Sequence, residues 1–258
     1  MKRIIFSIYE DMPLGERVTE YSKSQYTKYF NQLNDSKSNY ATLHGADYQL
    51  LTSESGYIDL NHRKIILMEE LLDVYDQVLY LDFDVAITST ENIFDAVSGF
   101  GLLMEDGVDV YNKEAQQVMN DCKYVDSWQD YYDLCKSEFN NRFSNRDKYH
   151  RYRKAQFKRR MLFEDEIVSM SGLIANTGIM IADKTVKLDY EKNLEHMKEI
   201  TAFENNEVFL SYLIEKNGIP YTNLTDWHTV YDSEEPRQDF SDTRMVHCIN
   251  KRFEDIYG

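Results

Sequence analysis

The sequence contains little cysteine, proline or glycine, and it has no long apolar run. Its three cysteines, Cys122, Cys135 and Cys248, are an odd number without C-x-x-C spacing, in a chain too long to depend on disulfides. No stretch approaches the roughly 20 apolar residues of a membrane span, and the N-terminal apolar run is too short for a signal peptide. We therefore expect reduced cysteines, a cytoplasmic location and no membrane span.

Positive charge is also scarce, because 29 Lys and Arg face 45 Asp and Glu, giving a formal net charge of −16. Such a surface repels nucleic acid and anionic lipid, so neither is expected as a partner. An anionic ligand would need a local positive group, such as a metal ion or a basic pocket. The exception is the basic run at residues 150–160, which is either a solvated face or a lid or acceptor contact that attracts an anionic substrate.

The order of hydrophobic patterns predicts an α/β fold. Without a Pro/Gly-rich linker or a repeat, we expect one domain over residues 1–258, with a helical insertion at about 108–165 as a candidate acceptor region. The patterns predict strands at 2–9, 47–52, 77–81, 101–105, 173–182 and 245–249, and helices at about 18–33, 63–75, 91–97, 186–200 and 206–217. A second short helix after the first is predicted through Tyr40 and Leu43, ending at Gly45. Strands that alternate with helices indicate a mixed, mainly parallel sheet flanked by helices.

Two aspartates interrupt the end of the strand "VLYLDFDVAI" at 78–87. On an extended strand, Asp82 and Asp84 would face the same side while Phe83 points into the core. Two carboxylates that converge repel each other unless a cation lies between them, and oxygen ligands suit Mg²⁺ or Mn²⁺. The alternative is that Asp82 caps a turn and Asp84 begins a solvated loop.

Four segments, taken in order along residues 1 to about 251, resemble nucleotide-sugar glycosyltransferases with the GT-A (Rossmann-like) fold, and most of all family 8. "YDQVLYLDFDVAI" resembles the Asp-X-Asp metal-binding segment of that family, and "NTGIMIADK" (176–184) resembles its strand beside the donor sugar. "NNEVFLSYLIEKNGIPYTNLTDWHTVY" (205–231) is similar to its helix and following turn, and "VHCINK" (246–251) to its C-terminal His segment.

The resemblance implies a set of site residues. A lone histidine after an apolar strand is usually a packed core residue, but the resemblance implies that His247 is the third metal ligand beside Asp82 and Asp84. An imidazole ligand favours Mn²⁺ over Mg²⁺. The donor UDP-sugar would contact the following residues: Ser7, Ile8, Tyr9, Lys64, Asp82, Phe83, Asp84, Asn176, Thr177, Gly178 and Lys251.

Several of these assignments leave alternatives open. Tyr9 could stack on uracil or simply pack, and Lys64, with its neighbour Arg63, could reach the diphosphate or lie on solvated surface. The spacing between His247 and Lys251 is shorter than the family usually has, so Arg252 could replace Lys251. Asn206 and Glu207 stand where the family often has Asp-Gln, which makes them the candidate catalytic residues, although Glu207 would also suit a helix N-terminus.

The resemblance implies a metal-dependent hexosyltransferase of the kind used in polysaccharide biosynthesis. It would transfer glucose or galactose from a UDP-sugar to a saccharide or other hydroxyl acceptor. The resemblance implies retention of configuration, whereas a glutamate at position 207 could also act as a base for inversion. The alternatives are a sugar nucleotidyltransferase, which the acidic and glycine-poor segment after the first strand disfavours, and a non-catalytic saccharide-binding protein of the same fold.

Overall fold

The computed structural model describes residues 1–11, 14, 18–52, 57–107, 146–169, 171–194, 205–232 and 239–258. The strands are β1 (Arg3–Tyr9), β2 (Asp47–Thr52), β3 (Gln77–Leu81), β4 (Val85–Ile87), β5 (Phe100–Asp106), β6 (Leu173–Asp183), β7 (Tyr221–Asn223), β8 (His228–Tyr231) and β9 (Met245–Cys248). The helices are α1 (Glu20–Leu43), α2 (Tyr57–Leu72), α3 (Ile93–Ala96), α4 (Arg146–Glu164), α5 (Asn206–Asn217) and α6 (Glu254–Tyr257).

The strands form the mixed, mainly parallel sheet that the sequence predicts. Six strands lie in the order β2-β1-β3-β6-β5-β7, and a smaller sheet has the order β4-β9-β8. Strand β1 pairs in parallel with β2 and β3, β5 pairs in parallel with β7, and β6 runs antiparallel to β3. The predicted fold class, an α/β sheet flanked by helices, is therefore confirmed.

Helix α1 differs from the prediction, which placed two helices in this region. It is one helix of 24 residues, because no glycine or proline interrupts it and a capping box fixes its start. Thr19 and Ser22 form that box by reciprocal hydrogen bonds. Gly45, whose φ of 63° is the left-handed conformation that glycine adopts without strain, follows the C-terminus.

The described residues fall into two compact units. The first comprises Met1–Leu103, Thr177–Lys187 and Tyr221–Gly258, and the second comprises Met104–Asn176 and Leu188–Pro220. The single domain over residues 1–258 stays a prediction. The part of the predicted insertion at 108–145, with Cys122 and Cys135, lies outside the described residues, as do residues 195–200 of a predicted helix whose residues 190–194 are helical.

The core of the first unit lies between its sheet and its helices. Ile5 of β1 and Leu79 of β3 pack against Tyr40 of α1 and Phe94 of α3, and all four are buried. Burial of aliphatic and aromatic side chains stabilises the folded state by about 25 cal/mol per Å² of apolar surface, so this cluster holds the sheet and its helices together.

No helix among the described residues is long and apolar enough to cross a membrane.

The second unit contains the basic run, and its cations bind carboxylates of the same unit. Lys158 of α4 is 1% exposed at its side chain, and its Nζ lies 2.7 Å from Glu215 of α5. Arg151 lies 3.2 Å from Glu105 of β5, so the two cations pair with other elements of the unit. Burial of a lysine without such a partner would cost several kcal/mol. Lys158 therefore supports the packing of the unit and does not lie on a solvated face, whereas Arg151 pairs with Glu105 while its side chain stays exposed.

Candidate functional site

The segment that carries the two aspartates is a turn, where the sequence predicts an extended strand. Strand β3 ends at Leu81, and the Val85 amide donates to the Asp82 carbonyl at 3.0 Å, which closes a β-turn around Phe83 and Asp84. The expectation that strand alternation aligns the two carboxylates is therefore wrong. The turn aligns them, and it is held because the Asp82 amide donates to the Gly178 carbonyl at 2.8 Å.

Phe83, between the aspartates, points into the core as the sequence predicts. Its side chain is 5% exposed, and its ring centroid lies 4.7 Å from that of Tyr9 and 4.9 Å from that of Phe30. Aromatic pairs at these distances each contribute about 0.5–1.5 kcal/mol beyond their burial. Phe83 therefore anchors the turn to β1 and α1.

Asp82, Asp84 and His247 come together in a group that could hold a metal ion. One ligand atom from each lies within 4.8 Å of the others. His247 Nε2 is 3.6 Å from Asp82 Oδ2 and 3.5 Å from Asp84 Oδ1. Adjacent ligands of an octahedral cation at ~2.1 Å lie roughly 3 Å apart, so a small contraction of this group would enclose Mg²⁺ or Mn²⁺. The chemistry of the donor set, two carboxylates and an imidazole, fits such an ion.

Two lysines compensate the carboxylates. Lys64 of α2 lies 3.1 Å from Asp82 Oδ1, and Lys251 binds Asp84. Burial alone would raise the pKa of Asp84, but Lys251 and His247 outweigh it and hold that pKa well below its ordinary value. Burial alone would likewise lower the pKa of His247, and Asp84 reverses the effect and raises it. Asp84 is therefore ionised, and Lys251 and His247 lie beside it.

His247 is placed by the small sheet. Strand β9 pairs antiparallel with β4, and Val85 stands opposite His247 in the register. The imidazole lies against Gly178, where a Cβ atom would be 2.2 Å from His247 Cε1, so no larger residue fits there. The close approach that glycine permits at this position is thus to the His247 ring, and contact of Gly178 with a donor sugar stays a prediction.

His228 was not predicted from the sequence. Its Nε2 lies 3.1 Å from His247 Nδ1, and its side chain is buried. Burial and the neighbouring His247 lower the pKa of His228 well below its ordinary value, so it is neutral. A histidine in the segment "DWHTVY" gives no signal by itself, because the contact with His247 depends on the pairing of β8 with β9.

Lys37 was also missed. It is fully buried on α1, and its Nζ donates to the carbonyls of Leu33 at 3.0 Å, Phe83 at 3.0 Å and Val85 at 2.6 Å. The last two belong to the aspartate turn and the strand after it. A signal for this role exists in the sequence, because Lys37 lies on the same helical face as the buried Tyr29 and Leu33.

A cavity of about 450 Å³ lies in the first unit beside the aspartates. Of the residues predicted to bind the donor, these line it: Ile8, Tyr9, Lys64, Asp82, Phe83, Asp84 and Lys251. Ser7 is fully buried instead. The two alternative cations are bound elsewhere, since Arg63 pairs with Glu70 at 3.0 Å and Arg252 donates to Asp255 at 2.8 Å.

The remaining predicted residues lie within β6 and at the start of α5. Thr177 is buried in the first unit, and Asn176, in the second, donates to Glu105 at 3.1 Å. Asn206 begins α5 and is buried, and Glu207 forms an ion pair with Lys154 of α4. This ion pair is within the second unit, and a catalytic role for Asn206 and Glu207 stays a prediction.

Among known proteins, this chain is similar to solved structures. No family model matches the chain, and no curated protein matches it. A glycosyltransferase involved in the glycosylation of the major capsid of PBCV-1 aligns over 100% of this chain and 98% of its own, with 12% identity and a TM-score of 0.49. The galactosyltransferase LgtC aligns over 95% and 86%, with 10% identity and a TM-score of 0.42. Mouse xyloside xylosyltransferase 1 aligns over 96% and 97%, with 10% identity and a TM-score of 0.41.

All three proteins are glycosyltransferases, the class that the sequence motifs of this chain resemble. Their identities of 10–12% and TM-scores below 0.5 describe a distant likeness. The functional proposal therefore rests on the side chains of the site and on the charges that they bring together.

Proposed function

We propose that this chain is a metal-dependent glycosyltransferase that transfers a hexose, with glucose or galactose favoured, from a UDP-sugar to a saccharide or other hydroxyl acceptor. The observation that supports the proposal most is the group of Asp82, Asp84 and His247, whose two aspartates line a cavity that Lys64 and Lys251 also line. Mn²⁺ is the proposed ion, because an imidazole joins the two carboxylates, and Mg²⁺ is the alternative.

The balance of charge explains why the site would take a metal ion together with a diphosphate. In the structure, Lys64 and Lys251 neutralise Asp82 and Asp84. A divalent cation brings two positive charges, and a diphosphate diester carries one negative charge on each phosphate. If both enter together, the net charge of the site does not change, whereas either one alone leaves charge uncompensated in a partly buried place.

The charged residues and the histidine of the site then have proposed roles. Asp82, Asp84 and His247 would hold the cation, and Lys64 and Lys251 would turn from the carboxylates to the phosphates. Lys251 has a φ of 59°, a left-handed conformation that is uncommon for lysine, and such conformations concentrate at functional sites. When bound, the cation would act as a Lewis acid that stabilises negative charge on the departing UDP.

The sugar end of the donor is proposed to lie near Asn176, Thr177 and Gly178, with Asn206 and Glu207 as the catalytic residues. We propose retention of configuration. Glu207 forms an ion pair with Lys154 of α4. The region 108–165 is the proposed acceptor region, and polysaccharide biosynthesis in the cytoplasm is the proposed setting.

The test is a panel of nucleotide sugars incubated with Mn²⁺ and assayed for release of free nucleotide, together with calorimetric titration of UDP with and without Mn²⁺. We expect UDP-glucose or UDP-galactose to release UDP, and UDP binding to require the metal. Asp84→Asn should abolish both, because the variant keeps the shape of the side chain but loses a charged ligand of the ion and the partner of Lys251.

The control is Asp73→Asn, which removes an exposed carboxylate at the end of α2 and should change neither measurement. Unchanged turnover in Asp84→Asn would contradict the metal role. Release of pyrophosphate from a nucleoside triphosphate and a sugar phosphate would instead indicate a nucleotidyltransferase. Metal-dependent UDP binding without turnover of any donor or acceptor would indicate a binding protein.

A further inference from the structure

The environment of His247 contains a second histidine, His228, whose side chain forms its only hydrogen bond among the described residues with the His247 ring. His228 is 3% exposed, and its Nε2 lies 3.1 Å from His247 Nδ1. Within the described part of the chain, His228 Nδ1 has no hydrogen-bond partner although it is buried. Buried polar atoms nearly always have a partner, so a side chain that leaves one atom unsatisfied needs a reason for its presence.

The two ring nitrogens of His247 face different neighbours. Nε2 points to the carboxylates, 3.5 Å from Asp84 Oδ1, and Nδ1 points to His228. A nitrogen binds a metal ion through its lone pair, and the proton of a neutral imidazole must then reside on the other nitrogen. A cation held by the two aspartates would therefore need the proton of His247 on Nδ1.

The hydrogen bond between the rings can run in either of two directions, and only one of them suits a cation. If His228 Nε2 donates, His247 Nδ1 accepts, and the proton of a neutral His247 is on Nε2, where it blocks the metal. If His247 Nδ1 donates, His228 Nε2 accepts and the lone pair of His247 Nε2 is free.

We propose that His228 is a positioning residue that accepts the Nδ1 proton of His247 and so presents Nε2 to a divalent cation. The proposal rests on the metal role in the proposed function and deepens it. The backbone supports it, because β8 and β9 pair in parallel with His228 opposite Met245, two residues before His247 on the same face. Gly178 confines the other side of the ring, so the hydrogen bond decides which nitrogen faces the carboxylates.

The first test needs neither metal nor activity. Long-range ¹H–¹⁵N correlations from metal-free protein with ¹⁵N-labelled histidine report which nitrogen of His228 carries the proton. We expect the proton on Nδ1 and an unprotonated Nε2. A proton on His228 Nε2 would overturn the proposal, because that nitrogen could then not accept from His247.

The second test is Mn²⁺ affinity, measured by electron paramagnetic resonance of the free ion without any nucleotide. His228→Phe keeps a ring but cannot accept, and we expect a 10- to 100-fold weaker affinity, the usual effect of removing the partner of a ligating histidine. His228→Gln, whose Oε1 can accept at about the position of Nε2, should restore most of it. The control His44→Phe replaces a histidine outside this group and should bind as the wild type does.

The outcomes separate this inference from the proposed function. Equal affinity of the wild type and His228→Phe would overturn the role of His228 alone. Equal weakening in His228→Phe and His228→Gln would show that the side chain acts by packing, and would overturn it as well. A wild-type protein that binds no Mn²⁺ would overturn the metal role in the proposed function, while the ¹⁵N measurement still decides the direction of the hydrogen bond.

Discussion

Lys37 lies beneath the aspartate turn, and its replacement by methionine tests whether a buried ammonium holds that turn in place. Methionine has a similar length and volume but no donor, so Lys37→Met removes the hydrogen bonds to Phe83 and Val85 without opening a cavity. The carbonyl of Leu33, the third acceptor, belongs to helix α1, where the backbone bond of the helix remains.

The size of the effect follows from the carbonyls that lose their donor. An unsatisfied buried carbonyl costs about 1–3 kcal/mol, so two of them cost roughly 2–6 kcal/mol. Part of this is returned, because the variant no longer buries an ammonium group. We therefore expect the free energy of unfolding to fall by roughly 2–4 kcal/mol, which for a chain of this size lowers the melting temperature by roughly 5–12 °C.

The assay is urea unfolding followed by circular dichroism at pH 7, combined with Mn²⁺ titration of the folded variant. The turn presents Asp82 and Asp84, so we also expect weaker Mn²⁺ binding once Phe83 and Val85 lose their anchor. Lys28→Met is the matched control, because Lys28 lies on the same helix with its side chain exposed, and it should change the free energy of unfolding by less than about 0.5 kcal/mol.

Equal stability of Lys37→Met and Lys28→Met would refute the reasoning, since it would mean that the two carbonyls do not depend on the ammonium. A loss of stability with unchanged Mn²⁺ affinity would show that Lys37 supports the core but not the position of the carboxylates.

Gly178→Ala would place a Cβ atom 2.2 Å from His247 Cε1, so the imidazole should be displaced. We expect the Mn²⁺ affinity, measured by electron paramagnetic resonance, to fall about 10-fold. An unchanged affinity would contradict this placement of the ring. The second prediction concerns pH. Burial lowers the pKa of Lys37 to about 7, below the ~10.4 of an unfolded lysine, so the unfolded chain binds more protons between these values and the free energy of unfolding rises with pH. The difference between wild type and Lys37→Met should therefore widen by up to about 1.4 kcal/mol per pH unit from pH 7 to 10 in urea unfolding, and a constant difference would contradict the depressed pKa.

The longer strands of the sheet could be predicted because each is marked by a run of apolar residues in the sequence itself. The strand 47–52 and the helix 206–217 were predicted with the bounds that the structure has. Helix α5 has both ends marked in the sequence, with Asn205 as its N-cap and Gly218 in the left-handed conformation after it. Helix α1 was predicted as two pieces, although no glycine or proline interrupts it between Glu20 and Leu43.

The short strands β4, β7 and β8 were missed because three or four residues carry too little periodicity to be recognised. Their existence depends on partners elsewhere in the chain. Strand β4 is defined by its pairing with β9, more than 150 residues later. The site depends on this pairing, since it brings His247 beside the aspartates.

The sequence by itself determined the α/β alternation, the Asp-X-Asp segment and the candidate ligand His247, because each is written in consecutive residues or in a family pattern. Only the tertiary structure decided how they meet. The two carboxylates converge through a turn held by Gly178 and Lys37, and His228 reaches His247 through the register of two short strands. Such contacts join residues far apart in the chain, and no local pattern specifies the distance or the hydrogen-bond geometry between them.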